Sequence, residues 1–447
     1  MESFFHEPWI VGAHPDFFGS SRTGGAIRAG RVLPGEGRRV LKDVAADLIF
    51  DSSFKPPWRI AGDRISVDLK RLAVLEQDAR TLASFLLPDG TSVPALVADG
   101  EDLVFAFDPV ETIDHILAER FITPAKPVTS YFPFRFHAIP GPVRGLIHKC
   151  YMMAGRLAPG GSQVRERAWP VNASVDALRW MMRASVEDAA GPCRDAAGSW
   201  PGGKRFAVAV THDVDTPAGQ GMIETLSGLD EARGVRSTWY VVGGKGFKHD
   251  HTVLEGLAER GHEIGLHGDV HDNMIALVSG EEVRRRLETC RPFIDRYDVR
   301  GFRSPSLYSS PTLRRALREY GLYDSSVPDV DIHSMVAPWR GCGSIRPFVM
   351  DGVIQIPLTM PLDDRLLGLG YSQEEIIRLL LDKFERIREL GGVVVVTTHA
   401  EPHLYKKPGR IAFYDELLAS ITGDGSAWYT TMGEIARAVE GTVGNGV

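Results

Sequence analysis

The chain has 447 residues, 43% of them hydrophobic and 24% charged, an ordinary globular composition long enough for two domains. A formal net charge of -7 offers no global basic field for nucleic acid, and no stretch approaches the roughly 18 apolar residues of a membrane span. The opening Met1-Glu2-Ser3-Phe4-Phe5 lacks the basic start and apolar run of a secretory signal, so a soluble, cytoplasmic protein is expected.

In the first part of the chain, strand-like runs at 82–87, 91–98 and 102–107 are separated by Asp89-Gly90 and Asp99-Gly100, both strong hairpin signals. They predict an antiparallel meander within an α+β accessory domain over residues 1–125. Residues 126–204 are read as a linker and helical connection: Gly- and Pro-bearing stretches at 158–162 and 191–204 flank a helical segment at 174–186. Cys150, Cys193, Cys290 and Cys342 are too far apart for a Cys-x-x-Cys motif and are expected as buried thiols.

From 205 to 447 strand-length apolar runs alternate with helix-period segments, which argues for parallel β/α architecture. The predicted strands are 206–210, 237–242, 263–266, 299–302, 353–356 and 393–397. The unbroken Val393-Val394-Val395-Val396 suits a strand covered on both faces. Ser279 with Glu282 and Ser372 with Glu375 read as capping boxes, and Ser310-Pro311 opens a helix that should stop at Gly321. A last strand runs into a last helix from Trp428. Neither a Gly-x-Ser-x-Gly elbow nor a phosphate loop is present, and the run 241–246 is read as a plain glycine-rich loop.

Polar clusters gather at the ends of these strands. The first strand leads into Thr211-His212-Asp213-Val214-Asp215, where two carboxylates two residues apart face the same way and could supply a metal ligand and a general base. Alone, Asp-x-Asp is also common turn and cap chemistry. The third strand leads to His267 and His271, a pair spaced to present two imidazoles from one face of a helical turn to one metal, whereas His262 is read as a packed or capping histidine. Two histidines and a carboxylate with an open position suit hydrolytic zinc or a related divalent cation. Gly301-Phe302-Arg303-Ser304-Pro305-Ser306, Tyr323-Asp324-Ser325-Ser326 and Thr397-Thr398-His399 follow, mostly at the C-terminal ends of strands, the catalytic face of β/α barrels.

In order, Asp-x-Asp, a histidine pair four apart, Arg-x-Pro, Asp-Ser-Ser and a late strand ending in His resemble the NodB-homology polysaccharide deacetylases, carbohydrate esterase family 4 and relatives, over roughly 205–440. The resemblance implies a distorted (β/α) barrel, with Asp215, His267 and His271 as metal ligands and Asp213 as catalytic base. Arg303 would orient that base, His399 would act as general acid, and a backbone N–H near Ser306 would hold the oxyanion. The family's adjacent aspartates are here an Asp-x-Asp variant, and Ser306 stands where many members carry Tyr. Asp324 is placed as a partner of Arg303, and His212 either beside the site or packed beneath it. His403 and the Asp363-Asp364 pair are read as loop or supporting residues.

The implied activity is metal-dependent amide hydrolysis. The leading expectation is N-deacetylation of an acetamido sugar or polysaccharide precursor, with zinc as the first choice of metal and cobalt, nickel or manganese as alternatives. Other readings are a small-amide hydrolase, such as a deformylase or cyclic imide or ureide hydrolase, and a non-catalytic carbohydrate-binding or scaffold protein. The partner is expected to be a small molecule or carbohydrate, with no nucleic acid and no membrane span.

Overall fold

A computed structural model describes residues 21–22, 25–29, 40–51, 53, 65–74, 80–99, 102–120, 171–186, 200–331, 340–362, 366–367 and 370–444. Cys150, Cys193, Asp363 and Asp364 lie outside these residues. Cys290 and Cys342 are buried thiols, as expected.

Among the described residues, β1 (Ser21–Arg22), β2 (Gly25–Ala29), β3 (Val40–Phe50), β4 (Ile65–Ala73), β5 (Arg80–Leu86), β6 (Ser92–Asp99) and β7 (Asp102–Phe105) form one sheet, in the order β1-β2-β7-β6-β5-β3-β4. The predicted meander is present: β5, β6 and β7 pair antiparallel in sequence, and Gly90 takes the φ of 85° that its turn requires. Helices Pro109–Leu117 and Ser174–Val186 contribute Ile113, Ile116, Val175, Leu178 and Met181 to a core shared with Leu48, Val67, Phe85 and Phe105. The 174–186 helix, expected in the connecting region, thus packs with this sheet. Val327, Cys342 and Phe348 of the later half join the same core.

The second sheet comprises β8 (Phe206–Val214), β9 (Thr238–Val241), β10 (Glu263–Leu266), β11 (Gly301–Phe302), β12 (Tyr323–Asp324), β13 (Phe348–Met350), β14 (Val353–Gln355), β15 (Val393–His399) and β16 (Ala427–Tyr429). Its order is β13-β14-β12-β11-β10-β9-β8-β15, with β16 beside β8, and its pairings are parallel apart from the β13–β14 hairpin. Past β14 the chain reaches the outer edge of β15: Met360 N–H donates to Val395 O at 3.2 Å, and Val395 N–H to Thr359 Oγ1 at 2.8 Å. The sheet therefore curls towards closure, as the distorted α/β barrel expected from the sequence. Ser372 and Glu375 form a reciprocal capping box on helix Gln373–Leu390, and Ser310 caps helix Pro311–Glu319.

Strand alternation decides which side chains enter the barrel. On β8, Phe206, Val208 and Val210 face the surrounding helices, while Ala207 and Ala209 face inwards with Tyr240, Tyr323, Val393 and Val395. Helix Met432–Gly444 supplies Met432, Ile435, Ala436 and Val439 to that inner core. Following the alternation along the strands, Thr211 and Asp213 of β8 and Thr397 and His399 of β15 point inwards, whereas His212 and Thr398 point outwards. The hydrogen bonds agree: Thr211 Oγ1 lies 3.1 Å from Thr397 Oγ1, and His212 Nδ1 lies 2.7 Å from Thr398 Oγ1.

Candidate metal centre and active site

Asp215 follows directly on β8, and His267 on β10. His271 is brought back to them by a bend rather than by the helical turn expected from the i, i+4 spacing: residues 267–271 are non-helical, and Gly268 has φ 76°. The bend is held from outside by the nearly buried Arg286, whose guanidinium donates to Asp269 Oδ1 at 2.6 Å and to Asp272 Oδ1 at 2.8 Å. The two histidines therefore converge through tertiary anchoring, which their spacing alone does not reveal.

His267 Nε2 lies 3.3 Å and His271 Nε2 3.4 Å from Asp215 Oδ1. One ligand atom from each of the three residues falls within 4.8 Å of the others. His267 Nδ1 is 2.9 Å from the carbonyl oxygen of Arg303, which can only accept. The proton is thereby fixed on Nδ1, and Nε2 keeps its lone pair. Asp215 Oδ1 is buried and has no hydrogen-bond partner among the described residues, a costly state for a carboxylate oxygen unless a cation meets it. Burial raises the pKa of this carboxyl, and the positive charge that the His271, His267 and His399 imidazoles carry when protonated lowers it far below the usual range. One carboxylate oxygen and two imidazole nitrogens, aimed together with one oxygen unsatisfied, fit a divalent cation.

Asp213, one inward position before Asp215, faces a different partner. The fully buried Arg303 donates from Nη1 to Asp213 Oδ1 at 2.8 Å and to Thr211 Oγ1 at 2.9 Å, and from Nε to Ser325 O at 3.1 Å. Its guanidinium lies 4.1 Å from the centre of the Tyr240 ring, and Tyr240 in turn meets Tyr323 hydroxyl to hydroxyl at 3.1 Å. This arrangement fixes the aim of Asp213. His399 lies opposite Asp213 in the β8–β15 ladder. Ser306 and Leu307 follow β11 with φ values of 56° and 62°, two successive non-glycine residues in left-handed backbone next to Pro305, which packs against Gly268, the kind of local strain that concentrates at functional sites.

One expectation needs correction. Asp324 does not hydrogen-bond to Arg303: it stands one residue out of phase on β12, and Ser325 takes that place through its carbonyl and hydroxyl. Asp324 instead accepts from Ser326 Oγ, which accepts the Ser304 N–H at 2.9 Å, so it reaches the Ser304–Ser306 turn through one intermediary. Burial pushes its pKa up to about 6, against the Ser326 hydrogen bond and nearby arginines. Of the two places left open for His212 it takes the packed one: it stacks on Trp239 at 3.9 Å and bonds to Thr398 and Asp230 on the outer face of β8. His262 is packed as expected, accepting from Ser237 N–H and meeting Glu231. His403 is exposed on the short helix Pro402–Tyr405.

Glu401 was missed. It is buried, accepts from Thr216 N–H and Thr216 Oγ1, and lies near enough to Asp215 and His399 to feel their charges; burial, then Asp215, push its pKa up to about 7. The sequence signal was its place two residues after His399.

The family model described as polysaccharide deacetylase matches residues 203–324. That span holds Asp213, Asp215, His267, His271, Arg303, Ser306 and Asp324, and ends before His399 and Glu401. Among solved structures, one described as a polysaccharide deacetylase from Mycobacterium smegmatis is 24% identical, with TM-score 0.46, over 56% of this chain and 94% of that one. Another so described, from Pseudomonas aeruginosa PAO1, is 19% identical, with TM-score 0.44, over 54% and 93%. A PuuE allantoinase is 17% identical, with TM-score 0.43, over 57% and 96%. Over residues 203–324 this chain is thus similar to the polysaccharide deacetylase family.

Proposed function

We propose that this protein is a metal-dependent amide hydrolase that removes the acyl group from an acetamido sugar or a precursor of a polysaccharide. The observation that carries the reading is the unsatisfied Asp215 Oδ1 facing two imidazole nitrogens, beside a second carboxylate held by a buried arginine. A divalent cation held by Asp215, His267 and His271, zinc by preference, would supply Lewis acidity to the acyl oxygen and to water.

The rest of the reaction is assigned to the chain's own groups. Asp213 takes the proton of the attacking water, aimed by Arg303, which donates to its Oδ1 at 2.8 Å. His399, across the ladder from Asp213, protonates the departing nitrogen, a task for which imidazole is well suited near neutral pH. The backbone N–H at Ser306 supplies a fixed dipole where negative charge develops on the tetrahedral oxygen. Asp213 and His399 thus divide the proton transfers, one accepting while the other donates.

Ser306 in place of a tyrosine removes an aromatic wall for an extended oligomer. Short N-acetylated sugar derivatives should therefore release acetate at least as fast, mole for mole, as long chitin-like oligomers. Acetate assays on zinc-loaded protein test this. Strong preference for long oligomers rejects the substrate assignment. Release of formate, or ring opening of cyclic imides or ureides alone, replaces it with small-amide hydrolysis, and a protein that neither binds metal nor turns over any of these amides is a scaffold.

A further inference from the structure

The end of β15 and the end of β8 are tied by a contact that the assigned roles leave unused. Glu401, two residues beyond His399, is only 5% exposed. Its carboxylate accepts from Thr216 N–H at 3.0 Å and from Thr216 Oγ1 at 3.0 and 2.8 Å, so the residue next to Asp215 is bound through both backbone and side chain. Thr216 Oγ1 also accepts from Gly219 N–H at 3.3 Å, which continues the tie into the turn Pro217–Met222. A buried carboxylate with two donors from one residue is a directional, charge-assisted fastening.

The backbone around this contact is built to the same end. Ala400 N–H donates to Asp213 O at 2.9 Å and Glu401 N–H to His399 O at 2.7 Å, which sets the path of the chain between His399 and Glu401. The Glu401 carbonyl accepts from Leu404 and Tyr405 N–H, opening the helix Pro402–Tyr405. Gly219 lies so close that a Cβ there would stand 2.5 Å from Ala400 O and 2.8 Å from Glu401 Oε1. Only a residue without a side chain permits this approach of the two loops.

We propose that Glu401 is a positioning residue that clamps the Asp215–Thr216 peptide to the end of β15, so that the ligand Asp215 and the proton donor His399 are held as one unit. The proposal rests on the metal-site reading above. With its oxygens taken by Thr216, Glu401 acts through Asp215 rather than as a fourth ligand, and groups that orient ligands typically change metal affinity about 10- to 100-fold when removed.

The test is zinc affinity by competition with a chromophoric chelator, together with the visible spectrum of the cobalt-substituted protein. Glu401→Ala should weaken zinc binding about 10- to 100-fold and alter the cobalt bands. Glu401→Gln, which keeps an acceptor for Thr216 N–H, should recover most of the affinity. Thr216→Val, which keeps the N–H and the shape but loses the hydroxyl, should fall between. His212→Ala controls for general loosening, because it lies outside the clamp and should retain both affinity and spectrum. Wild-type affinity and spectrum in Glu401→Ala overturn the proposal; if that variant does not fold, wild-type affinity in Thr216→Val does so. A wild-type protein that takes up no metal overturns the metal-site reading and the clamp with it.

Discussion

Two aspartates sit beside imidazoles on opposite sides of β8, and their oxygens are treated in opposite ways. Outside the barrel, Asp230 is saturated: Oδ2 accepts from His212 Nε2 at 2.9 Å and from Ser237 Oγ at 2.6 Å, and Oδ1 from Tyr414 Oη at 2.5 Å. Inside, Asp215 has two imidazoles within 3.4 Å, yet its buried Oδ1 has no hydrogen-bond partner among the described residues. The residue types are the same and both settings are sheltered from water. A closed set of hydrogen bonds marks a group whose work is to hold elements together, and an unsatisfied oxygen among aligned donor atoms marks one that awaits a ligand.

The largest expected effect tests the open cluster. His267→Ala and His271→Ala should each lose nearly all bound metal and all measurable turnover, since a three-ligand site has no spare donor. Elemental analysis of both variants decides it, and full occupancy in both would refute the assignment. Next comes Asp213→Asn, which should keep its metal while turnover falls roughly 10²- to 10⁴-fold, the usual worth of a positioned base. Asp215→Asn should weaken metal binding first. Reversed phenotypes would exchange the two roles.

The closed cluster should answer differently. His212→Ala removes the partner of a buried carboxylate and a ring stacked on Trp239, at a cost of about 3–5 kcal/mol in unfolding free energy. Its metal content per folded chain should match wild type. Urea unfolding of the metal-free proteins measures the cost, and a variant as stable as wild type, or one that binds no metal, would erase the distinction between the clusters.

How much of this could be read from the sequence depends on the range of the interaction. Strand phase is local, so the two-residue spacing of Asp213 and Asp215 already placed both carboxylates on one side at the end of a parallel strand, and capping at Ser310 and Ser372 fixed helix starts. The bend that brings His271 to His267 is not local: it depends on Gly268 and on Arg286, which reaches Asp269 and Asp272 from a later helix. Asp324 was paired with Arg303 because both belong to the same ordered motifs, but a one-residue difference in phase gives that place to Ser325. Glu401 escaped notice because a lone acid after a strand has no spacing partner; its significance lies in Thr216, 185 positions away.

Asp324 is the intermediate case, and it gives the smallest predicted effect. One oxygen is hydrogen-bonded by Ser326, while Oδ2 is buried with no partner among the described residues, as in Asp215. Its neighbour across the strand, Gln355, is buried with both amide atoms unpartnered, and the cations whose charge reaches Asp324 are Arg314, Arg303 and Arg340. Among the described residues no imidazoles converge on it, so the remedy for its unsatisfied oxygen is a proton rather than a metal. With the folded pKa raised from 3.8 to about 6, the native state binds this proton more tightly than the unfolded chain. Stability from this group is therefore complete below about pH 4 and is lost as the pH rises through about 6. Asp324→Asn keeps an acceptor for Ser326 and cannot titrate. The stability of wild type relative to Asp324→Asn should fall by on the order of 1–3 kcal/mol between pH 4 and 7. Urea midpoints of the two proteins across that range measure it, and a difference that stays constant with pH would show that Asp324 is satisfied in the same way as Asp230.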